Sequence, residues 1–152
     1  MKLEKLAAVA EIVSSIAIVA TLAYLAIQTQ QNASATRASV RQGMLAEETQ
    51  LLLAQLQFPF LNAEFQKTID LTLEQKVQVQ SWITAFLRVR ENHWLQFQAG
   101  VIDEGTWQAY RLPIQIVLST EVGREQWALR RARGEFDPAF VEDVDRLLAQ
   151  ER

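Results

Sequence analysis

The chain has 152 residues, with 15 Lys/Arg against 18 Asp/Glu, a single histidine and no cysteine. That length suits one membrane helix and one small domain, and the missing cysteines exclude disulfides, thiolate catalysis and Cys-ligated metals. Past residue 41 there are 11 basic and 16 acidic residues, so that part carries 11 − 16 = −5. It is poorly suited to a phosphate backbone, and no nucleic-acid partner is expected.

Leu6 to Ile27 reads LAAVAEIVSSIAIVATLAYLAI, with one charge and neither Pro nor Gly. As a helix, those residues rise roughly 33 Å, the hydrocarbon thickness of a bilayer. Polar residues flank it: Lys2, Glu4 and Lys5 before, Gln28, Gln30, Gln31 and Asn32 after. The stretch is read as one transmembrane helix. A cleaved signal peptide ending near Ala33-Ser34-Ala35 is the first competitor, but the run is long for such a segment and Glu11 lies inside it. A buried helix of a soluble protein fits less well, since such helices rarely stay apolar all round for six turns.

Ala10, Ser14, Ala17, Thr21, Tyr24 and Gln28 recur at 4-3-4-3-4 spacing and share one stripe of this helix. Small and hydroxyl residues let backbones approach in lipid, where close packing is the main attraction between helices. Ala10, Glu11, Ser14, Ala17, Thr21 and Tyr24 are therefore the expected helix–helix contact. Glu11 lies roughly 7 Å inside the run, where a carboxylate costs about 1–3 kcal/mol unless it is paired, protonated or hydrated. Ser14 and Ser15 stand one turn on and can offer it hydroxyls. Lys2 and Lys5 on one side nearly balance Arg37 and Arg41 on the other, so topology is weakly determined by charge.

Residues 28–39 are polar on every face, with helix-favouring alanines, and Val40 to Leu56 restore an apolar face. One long helix is expected, bent near Gly43 and ending before Phe58-Pro59. The division is 1–32 for the span and its juxtamembrane end, 33–58 for a connecting helix and 59–152 for a helical domain. In that domain Asn62 is expected to cap a short turn through Lys67. Thr72-Leu-Glu-Gln75 is a capping box opening a helix that ends at Gly100. Its apolar arc is too wide for a single contact, which makes it the central helix. Asp103 caps the next helix, which should kink or stop at Pro113. Ser119 or Thr120 starts another, ending before Gly134, and Asp137-Pro138 opens a last helix to about Ala149. No stretch alternates with period two, so the fold class is all-α.

Chemical motifs are few. His93 is in phase with the apolar face of the central helix and is read as a hydrogen-bonded core residue. There is no Glu-x-x-His pair for a di-metal bundle site, no Gly-rich phosphate loop and no Ser/His/Asp set, and no cofactor is expected. Asp103-Glu104 and Glu142, Asp143 and Asp145 read as helix-start charges and a solvated face. Arg124, Arg130, Arg131 and Arg133, interspersed with Glu121, Glu125 and Glu135, read as a salt-bridged surface. Trp82, Trp94, Trp107 and Trp127 are a heavy aromatic load, mostly core, and any left outside would mark a docking surface.

Tyr24-Leu25-Ala26-Ile27-Gln28 followed by Gln31-Asn32 resembles a pattern in a group of uncharacterised bacterial single-span membrane proteins with a small C-terminal helical domain. Gly100-Val101-Ile102-Asp103, Gly123-Arg124 with Trp127, and Phe136-Asp137-Pro138-Ala139-Phe140 are similar to that group's domain. The resemblance implies a bacterial inner-membrane location with the domain in the cytoplasm. It implies no activity. The expected function is a non-enzymatic, membrane-anchored interaction protein, partnered by lipid and by other transmembrane helices of its own kind or of a larger complex. Its alternatives are a homo-oligomeric pore with Glu11 facing the lumen, and a tethered enzyme with an unrecognised site.

Overall fold

A computed structural model describes residues 2–65 and 70–149. Among these it contains six helices and no strand, so the fold is all-α. The helices are α1 (Lys2–Gln57), α2 (Phe60–Phe65), α3 (Leu73–Gln98), α4 (Glu104–Ser119), α5 (Glu121–Ala132) and α6 (Pro138–Ala149). The described residues form two units, one up to Val40 and one from Arg41 onward. The second part of α1 therefore belongs with the helical domain.

In the first unit the helix is apolar and uncovered. Ile12, Val13, Ile16, Ile18, Val19 and Leu22 are each about 60% exposed or more. The hydroxyls turn inward along the helix itself, with Ser15 donating to the Glu11 carbonyl and Thr21 to the Ala17 carbonyl, both at 2.8 Å. Ser15 thus bonds the backbone of Glu11. Such bonds satisfy hydroxyls that stand on an otherwise apolar helix.

The second unit is built around α3, as its wide apolar arc requires. Val79, Trp82, Ile83, Phe86, Leu87 and Trp94 are buried along it, and α3 packs against α4 and α5 and touches α2. Aromatic rings fill the space beyond. Trp127 stacks on Phe136 at 5.3 Å, and Phe140, fully enclosed, meets Trp94 at 5.9 Å and Trp127 at 6.1 Å. All four tryptophans are buried, so the large apolar groups left outside the domain core are mainly aliphatic.

The helix ends follow local chemistry. Thr72 and Gln75 make the reciprocal capping box. Asp103 caps α4 at 2.7 Å from the Thr106 nitrogen, Thr120 caps α5 at 3.0 Å from that of Gly123, and Asp137 caps α6 at 2.8 Å from that of Ala139. Gly100 and Gly134 adopt φ of 67° and 65°, and the carbonyls of Gln96 and Arg130 accept from Val101 and Glu135. Both are left-handed stops that only glycine takes freely.

Two expectations are corrected. The turn expected from Asn62 begins earlier, because Leu61 and Asn62 donate to the carbonyls of Phe58 and Pro59, and Pro59 supplies a φ already suited to a helix start. Asn62 lies inside α2, and the part of that turn on residues 66–67 lies outside the described residues. α4 does not stop at Pro113, since Trp107 before it and Ile114, Val117 and Leu118 after it are all buried on one continuous face. That burial outweighs the roughly 3 kcal/mol a mid-helix proline costs. As expected, α1 is one long helix that runs through Gly43 and ends at Gln57, before Phe58-Pro59.

Two glycines give opposite predictions. A Cβ at Gly123 would sit 2.0 Å from the Val117 carbonyl oxygen, where only backbone movement makes room. Gly123→Ala should destabilise the domain by about 1–3 kcal/mol. Gly43 is exposed, with nothing within 4 Å of a new Cβ, so Gly43→Ala should stabilise by about 0.5–1 kcal/mol. Thermal unfolding of the two variants should move in opposite directions.

Candidate functional site: a buried charge cluster between two helices

The sequence Arg88-Val-Arg-Glu-Asn-His93 places polar residues in the middle of the most buried helix. Arg90 is 3% exposed, Glu91 9% and His93 0%. A buried charge is tolerated only with a partner and hydrogen bonds, and each of these residues finds them on another element. Glu91 accepts from the Asp137 backbone nitrogen at 2.6 Å and from Arg88 at 2.9 Å, which ties α3 to the start of α6.

Arg90 and His93 turn to α1. The guanidinium of Arg90 pairs with both carboxylate oxygens of Glu48, the second at 3.1 Å. Its plane lies over Phe86 at 4.5 Å and Tyr110 at 5.6 Å. Glu47, one residue earlier on α1, accepts from the Asn92 amide at 3.2 Å and lies 3.2 Å from His93 Nε2. Trp82 Nε1 adds a bond to the Leu51 carbonyl at 3.4 Å.

The contacts of His93 define its protonation. Arg90 lies 3.3 Å from Nδ1 and can only donate, so Nδ1 accepts and the ring proton belongs on Nε2. Nε2 faces Glu47 but is out of line for a hydrogen bond, so their attraction is largely electrostatic. A second proton on Nδ1 would point at the guanidinium. Burial, then the Arg90 charge, holds the His93 pKa below its ordinary 6.5, against weaker opposing pulls from Glu48 and Glu47.

Chemically, the cluster resembles a Glu–His dyad, but both ring nitrogens face protein groups. The ring packs against Tyr110 at 4.4 Å and is sealed from solvent. General base catalysis requires a nitrogen that a substrate can reach. The geometry fits a clamp joining α1 to α3. Among the described residues no group of three metal-ligating side chains converges on one point.

The other expected features are placed differently. Ala10, Glu11, Ser14, Ala17, Thr21 and Tyr24 are all exposed on the first unit. Asp143 and Asp145, read as a solvated face, are ion-paired: Asp143 with Arg111 at 3.5 Å and Asp145 with Arg131 at 2.9 Å. Arg130 and Arg133 pair with Glu135, in keeping with a salt-bridged surface, and the Arg130 hydrogen bond holds the Glu135 carboxyl below its usual pKa. Arg41 stands 3.7 Å from Asp103. Sequence reading had singled out His93 but neither Arg90, Glu47 nor Glu48. The available signal was charged residues, Arg90 and Glu91, in phase with the apolar arc of the helix rather than with its exposed side at Ser81, Ala85 and Arg88.

Comparison with known protein families, with curated proteins and with solved structures found no match for this chain.

Removing the Glu48 charge should leave Arg90 buried without its counter-ion. Glu48→Ala is expected to cost about 2–3 kcal/mol, below the ~3–5 kcal/mol of a fully buried pair because Glu48 is partly exposed. The pH dependence has a definite sign. With its folded pKa below 6.5, His93 contributes stability that is complete above that pH and is lost as pH falls through the folded value. The depressed Asp103 and Glu135 act lower, below their ordinary 3.8 and 4.5. Denaturant melts between pH 7 and 5 should therefore show a decline in the native chain that is flattened in His93→Gln.

Proposed function

We propose that the chain is a single-span membrane protein whose helical domain is a non-enzymatic interaction module. It associates with further copies of itself or with a larger membrane complex as an accessory subunit. One observation carries this reading: the helix that is long and apolar enough to cross a membrane is entirely uncovered over its most apolar window, whose mean hydropathy is 2.0. Each large aliphatic side chain left in water forgoes about 1.5–3 kcal/mol. Eight of them, from Ile12 to Ile27, are exposed. A bilayer covers such a surface; water does not.

Association is assigned to the stripe of Ala10, Ser14, Ala17, Thr21 and Tyr24, with Glu11 beside it. The sealed His93 supports a non-enzymatic role, because it removes the one candidate base from contact with a substrate. For orientation, Arg37 and Arg41 favour a cytoplasmic domain and a bacterial inner-membrane setting, while Lys2 and Lys5 oppose them.

Membranes washed with high salt and alkaline carbonate should retain the chain in the pellet. Release of the intact chain would rule out the span. Within the membrane, Ala17→Leu should push helices apart and weaken self-association or partner co-purification, whereas Ile18→Leu should be nearly silent. Glu11→Gln should weaken association less than Glu11→Leu, because it keeps hydrogen-bonding capacity. Equal association of Ala17→Leu and Ile18→Leu would reduce the helix to a tether.

A further inference from the structure

The helical domain holds an open cavity of about 460 Å³ between α1, α3 and α4, within the size range of small-molecule sites. Its apolar lining includes Leu52 and Ile116, which are 58% and 67% exposed, and the ring pair Trp82 and Phe86, stacked at 5.5 Å. The charged residues in its lining are Glu48 and Arg90. These two are not equally available. Arg90 is 3% exposed, with its guanidinium committed to Glu48 and stacked on Phe86, whereas the Glu48 side chain is 24% exposed.

A molecule entering the cavity therefore meets acceptor oxygens. A carboxylate offers about four lone-pair sites, and Arg90 occupies only part of them. The neighbouring charges favour a cation. Glu48 and Arg90 cancel within the lining, and Glu47, one residue away but outside it, with His93 neutral, leaves the cluster at −1, in a domain that carries −5 past residue 41. We propose that this cavity binds an amphiphilic primary amine, its alkyl chain against Leu52, Trp82, Phe86 and Ile116 and its ammonium on the Glu48 carboxylate.

The test uses the full chain in phosphatidylcholine nanodiscs, labelled with 5-fluorotryptophan, with the Trp82 fluorine resonance assigned from the Trp82→Phe spectrum. Octylamine, octanol and octanoate share a chain and differ in the head. Octylamine should shift the Trp82 resonance saturably, at a half-saturating concentration at least about tenfold below that of octanoate, with octanol between them. Ile116→Arg adds a cation at the exposed rim without touching the core, and should weaken octylamine binding while favouring octanoate. An unmoved Trp82 signal would overturn the proposal, as would parallel shifts of all four tryptophan signals. Octanol binding as tightly as octylamine would mean an unselective apolar cavity, and octanoate binding as tightly would exclude a cation site.

Discussion

The domain is constrained by what α3 must bury. Its apolar arc is wide enough that the helix is surrounded on most sides, yet Arg90, Glu91 and His93 occupy its middle. Moving an unpaired charge into such a place costs several kcal/mol. Every element packed near these residues must therefore supply a counter-group. α1 supplies Glu47 and Glu48, the start of α6 supplies the Asp137 backbone, and α4 supplies the Tyr110 ring. An apolar core alone tolerates many slightly different helix arrangements. A bidentate Arg–Glu pair and a histidine of defined tautomer tolerate few, because each depends on direction as well as distance.

The same constraint explains why the charged cluster is a clamp and also why a cavity lies beside it. Glu48 has to stay close enough to Arg90 to neutralise it, which sets how far the α1 segment stands from α3. With Arg90 held 4.5 Å over the Phe86 ring, an open space remains that Leu52 and Ile116 help to line. Cores are normally packed to near-crystal density. An open apolar space walled by a half-buried ion pair departs from that, and it is the feature of this domain most suited to receiving something from outside.

Much of the architecture was legible along the chain, for local reasons. Thr72–Gln75, Asp103, Thr120 and Asp137-Pro138 mark helix starts through bonds spanning three residues or fewer, and Gly100 and Gly134 mark stops through a backbone conformation that other residues resist. The membrane-length apolar helix and the absence of strands among the described residues follow from composition and periodicity in the same way. Pro113 shows where local reading stops. Its helix-breaking tendency is real, but the residues on either side bury one shared face, and burial summed over several side chains exceeds one lost hydrogen bond.

His93 was legible as a core residue because its phase along α3 places it among apolar neighbours. Its partners were not. Glu47 and Glu48 lie more than forty residues away and, read in place, are two ordinary helix-surface acids. Periodicity assigns a residue to a face of its own helix and says nothing about which other helix that face will meet. The sequence by itself therefore determined the helices, their ends and the apolar span, all products of short-range bonding and composition. Only the tertiary structure decided that Arg90 and His93, both buried, share one site with the partly exposed Glu47 and Glu48, because pairing across helices depends on how they pack and not on spacing along the chain.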